Sequence, residues 1–484
     1  MPTTTDTQAS GVFSDLLRRA PATFGIHDEE GLWSAQDIDR WAGEVEATLT
    51  EASVRPGDRV IAVVGRTARD VATLIGIQRS GAIVVPADHA MPIRRRQAIA
   101  HDCGARFEVS APDGDAEVTA LPEACRTESG EHSDIAGSLL IYTSGSSGTP
   151  KGILCPESSI EFAVHAISAC LQYRPADVVA QPLPLTFDYG LYQVWLAMTA
   201  GATVRLYPEG AAGPSLIGRL GRDDVTVLPS MPVLSESLIR VADRRGRDLP
   251  GLRLVTSTGG ACSPAQIAGL RRLAPHAHIV PMYGLTECKR ATITSLDPNR
   301  VDDTSSGVAL PGTDIRIRAT DEDLPPGIVG EIHVGGPHVM AGYWPLTDPV
   351  RNERFYRDAL GTAWVATGDS GFLDPAGNLH VEGRLDDVFK ANGYRTSATE
   401  VETALRAIDG VDEGCVLPPK GDTPYTAAYA GALPESEVRE HLGDLLEVAK
   451  HPAVLIALPE MPLNANGKID KRAVARLLEG GQHP

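Results

Sequence analysis

The sequence has little of what marks exported, membrane-spanning or nucleic-acid-binding proteins. Its 484 residues contain no apolar run near the ~18 residues needed to span a bilayer, and the polar residues 1–10 lack the basic and apolar regions of a signal peptide. Lys and Arg number 44 against 63 Asp and Glu, so the formal net charge is −19. A chain this acidic does not neutralise nucleic-acid phosphates or an anionic membrane. We therefore expect a cytoplasmic protein that binds neither.

Cysteines are also few, and their spacing indicates neither a disulfide pattern nor a metal-binding motif. The seven cysteines are odd in number, without a CxxC pair and without histidines at metal-ligand spacing. We therefore expect neither a disulfide framework nor a zinc site, and reduced thiols fit a cytoplasmic compartment. Cys288 stands apart only because it directly follows one of the motifs described below.

The chain is rich instead in short β-branched runs that alternate with helical stretches. From Arg59 onward, VIAVVG is followed by TARDVATLIGIQRS, then by GAIVVPAD and by MPIRRRQAIAHDCGA. This order of strand and helix patterns is typical of βαβ units with parallel strands. The same alternation continues over roughly the first three hundred residues, which predicts a large α/β region.

The pattern changes twice in the rest of the chain. Between 307 and 384 the helical periodicity fades, and turn signals separate strand-like runs. Further on, Ser397 and Glu400 form a capping-box pattern ahead of a helix. We predict an α/β fold with a large N-terminal domain, residues 1–385, made of βαβ-type sheets plus a β-rich subdomain at about 307–385. A small, mobile α+β C-terminal domain would occupy 386–484.

The clearest local feature is a loop rich in glycine and hydroxyl groups at 142–152, with the sequence YTSGSSGTPKG. Glycines and hydroxyls let backbone N–H groups approach polyanionic oxygens, and Lys151 adds a positive charge, so the loop suits phosphate. It is not a Walker loop, because Lys151 is followed by Gly152 rather than by Ser or Thr. By composition alone, a flexible connector is an equal alternative.

The string YTSGSSGTPKG resembles the phosphate-loop signature of the adenylate-forming superfamily, which includes acyl-CoA synthetases, nonribosomal peptide adenylation domains and luciferases. Four further segments look like the motifs of this family in the same order: YGLTE at 283–287, TGD at 367–369, GRLDDVFK at 383–390 followed by Gly393, and PLNANGK at 462–468. The resemblance implies an enzyme that uses ATP and Mg²⁺ to activate a carboxylic acid as an acyl-AMP. It also implies transfer of the acyl group to a thiol.

The resemblance implies the nucleotide-binding residues. Adenine would lie against backbone with Tyr283 stacked on it, and the ribose hydroxyls would bind Asp369 with support from Arg384. The residues expected to bind ATP are Thr143, Ser144, Gly145, Ser146, Ser147, Gly148, Thr149, Lys151, Gly259, Gly260, Ala261, Tyr283, Asp369 and Arg384. Taken one at a time, these residues would be ordinary turn or surface positions.

The same motifs imply three catalytic residues. Thr286 would hydrogen-bond the α-phosphate, Glu287 would ligate Mg²⁺, and Lys468 would stabilise the negative charge that builds as the substrate carboxylate attacks that phosphate. Asp386 matches the family's hinge between the two domains. Gly393 matches the segment that the rotated small domain brings to a tunnel for the phosphopantetheine thiol.

A further segment points to the acid that is activated. Phe187-Asp-Tyr-Gly190 resembles the FDxS element of amino-acid-activating members, so Asp188 is expected to bind a substrate ammonium group, with a helix cap as the alternative. Arg290 would suit a second acidic group, and an outward surface charge is its equal alternative. Alignment through the motifs places these residues around the acyl pocket: Asp188, Tyr189, Tyr192, Met231, Thr256, Thr258, Met282, Arg290 and Ala291.

Two departures from the family pattern bear on the substrate. The serine of FDxS is replaced by Gly190, and Glu287 is followed by Cys288, Lys289 and Arg290 where small or apolar residues are more usual. We expect the substrate to be an amino acid or another polar acid, such as a dicarboxylic or β-amino acid, rather than a long fatty acid.

The sequence gives less information about the acceptor thiol than about the acid that is activated. No carrier-protein signature follows Lys468 and no condensation domain precedes the adenylation region, which predicts a freestanding enzyme. We favour delivery to the phosphopantetheine of a separate carrier protein in natural-product biosynthesis, and an acyl-CoA ligase that uses free CoA is the alternative. A catalytically inactive nucleotide-binding protein is a third reading, against which the joint presence of the catalytic motifs argues.

Overall fold

The structure is a computed structural model that describes residues 11–111, 116–122, 137–144, 150–211, 215–260, 262–297, 304–320, 322–385, 388–391, 394–419, 425–446, 448–464 and 468–479. The α-helices in these ranges are α1 (Val12–Arg19), α2 (Ala35–Glu51), α3 (Ala68–Arg79), α4 (Ile93–Cys103), α5 (Glu157–Leu171), α6 (Asp188–Ala200), α7 (Leu216–Arg222), α8 (Pro232–Arg245), α9 (Pro264–Leu273), α10 (Ala398–Arg406), α11 (Glu435–Leu445) and α12 (Lys471–Glu479). A 3₁₀ turn lies at Val448–Lys450.

The strands of the N-terminal part are β1 (Gly25–His27), β2 (Leu32–Ser34), β3 (Arg59–Val64), β4 (Ile83–Asp88), β5 (Phe107–Ser110), β6 (Glu117–Ala120), β7 (Gly137–Ser144), β8 (Pro150–Pro156), β9 (Val178–Gln181), β10 (Thr203–Leu206), β11 (Val227–Ser230), β12 (Leu254–Ser257), β13 (His278–Tyr283), β14 (Thr292–Ile293) and β15 (Val308–Ala309). Those that follow are β16 (Asp314–Ala319), β17 (Glu322–Asp323), β18 (Gly330–Gly335), β19 (Gly342–Tyr343), β20 (Phe355–Arg357), β21 (Ala363–Leu373), β22 (Leu379–Arg384), β23 (Val388–Ala391), β24 (Tyr394–Ser397), β25 (Val411–Leu417), β26 (Thr426–Gly431) and β27 (Val454–Leu458).

Two large sheets carry the βαβ units. The nine-stranded sheet has the order β15-β14-β13-β12-β11-β9-β10-β1-β2, with neighbouring strands parallel from β13 to β1. The seven-stranded sheet has the order β19-β8-β7-β4-β3-β5-β6, with β7, β4, β3 and β5 parallel. Because all parallel strands of a sheet end at one edge, the loops after them collect there, which is where ligands bind in such folds.

Local sequence explains where the crossover helices begin. The Thr67 side chain accepts a hydrogen bond from the backbone of Asp70, and the Asp70 side chain accepts one from the backbone of Thr67, which completes a capping box at the start of α3. The nine buried residues of α3 are apolar or small, apart from Thr73 and Gln78. Ser263 and Gln266 cap α9 in the same way as Thr67 and Asp70 cap α3.

One apolar core joins the two large sheets. It contains Val84 from the seven-stranded sheet, Val204 from the nine-stranded sheet, and Trp195 from α6. Trp195 is fully buried and stacks on Phe13 of α1 with 4.3 Å between ring centroids. Burying large aromatic surfaces of this kind is a major source of stability, so α1 and α6 are tied firmly to both sheets.

The remaining sheets confirm the predicted change along the chain from βαβ units to a β-rich region and then to a small α+β region. Strands β16, β17, β18, β20, β21 and β22 form a six-stranded antiparallel sheet between Asp314 and Arg384. The C-terminal residues form a three-stranded sheet, β25-β26-β27, with α10, α11 and α12. The predicted α/β fold class is therefore correct, while the predicted boundary and hinge at Asp386 lie outside the described residues. No described helix has the length and apolar character to cross a membrane.

Candidate active site

The predicted phosphate loop follows β7, at the edge of the seven-stranded sheet. Sequence reasoning missed that 150–156 forms β8, which pairs antiparallel with β7 so that Lys151 lies opposite Thr143. The side chain of Ser144 and all of Gly145, Ser146, Ser147, Gly148 and Thr149 lie outside the described residues. The Lys151 Nζ atom is 5.1 Å from the centroid of the Tyr343 ring, which places its charge beside that ring.

The YGLTE segment forms a tight turn at the end of β13. A Cβ atom on Gly284 would lie 1.8 Å from the carbonyl oxygen of Lys289, so only glycine fits this position. The Glu287 carboxylate accepts a hydrogen bond of 2.5 Å from the Tyr343 hydroxyl, and its backbone carbonyl accepts one from Met340. Thr286 is half-buried beside it. The turn therefore holds Glu287 close to Lys151, because both contact Tyr343.

Asp369 and Arg384 are direct neighbours across strands β21 and β22. Asp369 accepts a hydrogen bond of 2.7 Å from the Tyr283 hydroxyl and one of 3.1 Å from Arg384. Burial raises the pKa of the Asp369 carboxyl, and the Arg384 charge and the Tyr283 hydrogen bond partly oppose that rise. These contacts orient both carboxylate oxygens, which suits recognition of a pair of hydroxyl groups.

The glycine segment after β12 meets the end of the chain. Gly259 has a φ of 85°, a value that L side chains rarely adopt. A Cβ atom there would lie 3.5 Å from Met231 Sδ, 3.5 Å from Lys468 Cε and 3.8 Å from Lys468 Nζ. The structure thus brings Lys468 to the cleft beside Gly259 and Gly260, although 209 residues separate Gly259 from Lys468 in the sequence. Ala261 lies outside the described residues.

Lys468 is exposed to solvent along its length, but its amine end lies among charged groups of the cleft. Burial lowers the pKa of Lys468, and Arg290 lowers it further, while Asp188, Glu287 and Asp369 raise it. The Lys468 charge therefore interacts electrostatically with predicted nucleotide-binding residues and with predicted acyl-pocket residues.

The predicted acyl-pocket residues lie together and are inaccessible to solvent. Asp188 is the first residue of α6 and is 3% exposed, and its side chain makes no capping hydrogen bond and no ion pair with a described residue. Tyr189 donates to the backbone carbonyl of Thr256 at 3.1 Å and lies 2.7 Å from its hydroxyl. The other predicted lining residues are also buried: Tyr192, Met231, Thr258, Met282 and Ala291.

The missing serine of the FDxS element has a steric reason. A Cβ atom on Gly190 would lie 2.3 Å from the carbonyl oxygen of Pro184 and 2.7 Å from Gln181 Nε2. The close approach of the loop before α6 therefore requires glycine. This packing brings the first turn of α6, with Asp188, against the end of β9.

Two adjacent cations are buried at the pocket. Arg290 is 6% exposed, and its guanidinium carbon lies 4.4 Å from the centroid of the Tyr189 ring, so it is not the outward surface charge that the sequence left open. Lys289 is fully buried, with Nζ 3.3 Å from Cys155 Sγ and 5.6 Å from the Tyr192 ring. Neither forms a salt bridge with a described residue. Sequence reasoning recorded Lys289 as a departure from the family pattern but did not predict it as a pocket residue.

Three further observations concern the site and its surroundings. The Tyr192 hydroxyl is buried without a hydrogen-bond partner among the described residues. Burial raises the pKa of the Cys288 thiol to about 12, so Cys288 is not a reactive thiolate. A groove of about 980 Å³ between α5 and β21 contains none of the predicted site residues, so cavity size does not identify this site.

A carboxylate and two arginines line one small cavity beside the YGLTE turn. A cavity of about 50 Å³ is lined by Glu287, Tyr343, Arg354, Thr367 and Arg384, among others. Arginine side chains fit phosphate oxygens and a carboxylate fits Mg²⁺, so the donors suit a metal–nucleotide complex. Asp386 and Gly393, the predicted hinge and tunnel residues, lie outside the described residues.

The α/β fold and this arrangement of residues define an adenylate-forming enzyme, an AMP-forming ligase that uses ATP. The chain belongs to the family of AMP-binding enzymes, whose pattern matches residues 16–344. One of the plipastatin synthase proteins of Bacillus subtilis (strain 168) is 27% identical over 96% of the chain, and the chain spans 14% of that relative's length.

Solved structures agree with the fold. ATP-bound MatB from Rhodopseudomonas palustris superimposes with a TM-score of 0.82 over 96% of this chain and 98% of MatB, at 22% identity. VinN in complex with L-aspartate is 30% identical, with a TM-score of 0.66 over 77% of this chain and 97% of VinN.

Proposed function

We propose that the chain adenylates an amino acid that carries a second carboxylate and then transfers the acyl group to the phosphopantetheine thiol of a carrier protein. The observation that carries the proposal is the set of unpaired charges in the acyl pocket. A buried charge without a partner is costly, so Asp188, Lys289 and Arg290 are best explained by charges that the substrate supplies. An ammonium group would pair with Asp188, and a carboxylate would pair with the two cations.

The chemistry of the two cations fits a carboxylate. The Arg290 guanidinium offers a planar fork for two carboxylate oxygens, while Lys289 offers a compact charge with three donors. VinN, 30% identical to this chain, has been solved in complex with L-aspartate, an amino acid with two carboxylates. That neighbour supports an aspartate-like substrate here.

In the first half-reaction, one substrate carboxylate attacks the α-phosphate of ATP and pyrophosphate leaves. Lys468 would stabilise the negative charge shared by the carboxylate and phosphate oxygens, and Thr286 would hydrogen-bond the α-phosphate. Asp369 and Arg384 would hold the ribose, and Tyr283 and the Gly259 segment the adenine. Glu287 would hold Mg²⁺, which neutralises phosphate charge when bound.

In the second half-reaction, the thiol attacks the acyl carbonyl and AMP leaves. The acyl-AMP is a reactive mixed anhydride, so positioning of the thiol is the main requirement. We propose that rotation about Asp386 withdraws Lys468 and brings the Gly393 segment to the thiol.

ATP–pyrophosphate exchange tests the substrate. We expect exchange with L-aspartate-like acids, and much less with L-alanine, which lacks the second carboxylate, or with succinate, which lacks the amine. Lys289→Met should reduce kcat/KM for the dicarboxylic substrate by about 10²-fold, because its carboxylate would lose a buried ionic partner. Lys450→Met, which alters a lysine paired with Glu400 in the C-terminal part, is the matched control.

Unfolding measurements separate this effect from misfolding. Replacing an unpaired buried cation by an apolar side chain of similar length should leave the thermal stability of Lys289→Met unchanged or higher. Equal exchange with succinate and aspartate, or full activity of Lys289→Met, would contradict the proposed substrate. Transfer of the acyl group to free CoA, but to no carrier protein, would favour the acyl-CoA ligase alternative.

A further inference from the structure

The start of α4 exposes an apolar side chain beside two unpaired cations. Ile93 is 61% exposed, and Arg94 and Arg95 next to it are exposed as well. Arg96 pairs with Glu108 at 2.9 Å, whereas Arg94 and Arg95 form no salt bridge with a described residue. On a chain with a net charge of −19, this turn is a local patch of the opposite sign.

The helix itself gains nothing from these charges. The N-terminus of a helix carries a partial positive charge, so cations in the first turn are unfavourable there. The first turn of α4 has no acidic residue, and its N-cap residue, Pro92, makes no side-chain capping bond. Arg94 and Arg95 therefore add to the positive potential of the helix terminus, and an anionic partner would be attracted to both.

The patch follows the edge of the seven-stranded sheet that contacts the nine-stranded sheet. Strand β4 ends at Asp88, five residues before α4, at the same sheet edge where β7 leads into the predicted phosphate loop. Two contacts join this edge to the other large sheet: Arg66 donates to the Pro182 carbonyl at 2.5 Å, and His89 lies 3.4 Å from Glu209. Pro182 begins the loop that leads to Asp188.

We propose that Ile93, Arg94 and Arg95 form a docking surface for an acidic carrier protein that presents its phosphopantetheine thiol to the acyl pocket. This inference rests on the proposed function, since it specifies the partner of the second half-reaction. An apolar contact surrounded by charges is the usual composition of a transient protein interface, and complementary charge speeds the encounter. The patch follows the sheet edge whose Arg66 contacts Pro182, where the loop that leads to Asp188 begins.

The test compares acceptors of different size with a charge-reversed variant. Arg94→Glu/Arg95→Glu is paired with Arg244→Glu/Arg245→Glu, which reverses two consecutive exposed arginines at the end of α8. The acceptors are free pantetheine, CoA and phosphopantetheinylated peptidyl carrier domains with acidic helical faces. ATP–pyrophosphate exchange reports the first half-reaction, which needs no acceptor.

We expect Arg94→Glu/Arg95→Glu to leave exchange and transfer to pantetheine within about twofold of wild type, and to reduce kcat/KM for the carrier domain by about tenfold or more. The wild-type rate with the carrier should also fall as salt rises, and that dependence should weaken in the variant. The α8 control should behave like the wild type. Lysine substitutions on the acidic face of the carrier should restore the rate of the variant.

Three results with the variants would overturn the docking surface: unchanged carrier transfer in Arg94→Glu/Arg95→Glu, an equal loss in the α8 control, or a loss confined to CoA, which would assign the arginines to nucleotide phosphates. Wild-type exchange combined with transfer to pantetheine but to no carrier would also overturn it, while adenylation of the substrate stands. Absence of exchange with every amino acid would instead overturn the proposed function.

Discussion

In the nucleotide half of the cleft the two carboxylates accept hydrogen bonds from neighbouring side chains, whereas in the acyl half the buried charges have no ion-pair partner among the described residues. Asp369 is held by Tyr283 and Arg384, and Glu287 is held by Tyr343. In contrast, Asp188, Lys289 and Arg290 are buried without ion-pair partners among the described residues. The two halves therefore differ in how far the protein itself holds their charged groups in place.

This difference supports the proposed roles of the two halves. Paired groups are oriented before binding, which suits the same nucleotide in every catalytic cycle. Unpaired buried charges lower stability until a ligand neutralises them, which suits selection of a particular acid, because a substrate lacking one charge leaves a protein charge unpaired. The Lys468 charge interacts with charged groups of both halves.

Removal of Lys468 should have the largest effect. We expect Lys468→Ala to reduce the rate of adenylation by about 10²-fold or more, because a fixed charge at the transition state is lost. Single-turnover pyrophosphate release measures this rate, and Lys450→Ala is the control. Loss of only ATP affinity, with an unchanged rate at saturation, would show that Lys468 acts on binding rather than on chemistry.

The pH dependence of the same step should reflect Lys468. Since burial and Arg290 lower its pKa, Lys468 loses its proton, as pH rises, before the ordinary lysine pKa of about 10.4 is reached. At pH values above the Lys468 pKa, the rate should fall about tenfold per pH unit. In Lys468→Arg the guanidinium stays protonated, so this alkaline fall should disappear. An identical fall in both proteins would assign it to the substrate amine.

Asp369→Asn should affect only the nucleotide half. We expect KM for ATP to rise about tenfold, because hydrogen bonds from a ribose to a charged acceptor become weaker neutral ones. KM for the amino acid should stay constant, the reverse of the pattern expected for Lys289→Met. Parallel changes in both constants in either variant would mean that the two halves are coupled.

Tyr192→Phe should have the smallest effect. Its hydroxyl is buried without a partner among the described residues, so its removal should leave the free energy of unfolding unchanged or raise it by about 1 kcal/mol. Tyr189→Phe is the matched comparison and should lower stability by a similar amount, because the Thr256 hydrogen bonds are lost. Urea unfolding of both variants measures the difference. A loss of stability in Tyr192→Phe would indicate a protein partner for the hydroxyl.

Much of the fold and of the nucleotide half follows from local patterns. The strand and helix patterns from Arg59 to Cys103 predicted β3, α3, β4 and α4, because alternation, periodicity and capping are local properties. The strand at 150–156 was missed, since seven residues between a glycine-rich loop and a helix carry no distinctive period. Its pairing with β7 depends on contact across the loop.

The sequence by itself determined the order of motifs, the fold class, and which residue types could bind ATP. Only the tertiary structure decided that Lys289 and Arg290 point into the protein and that Lys468 reaches Gly259. Side-chain direction depends on backbone conformation, and Lys289 adopts a φ of 56° after the turn that Gly284 permits. Which groups surround a buried charge depends on neighbours distant in sequence, as with Lys289 and Cys155, and spacing does not encode such contacts.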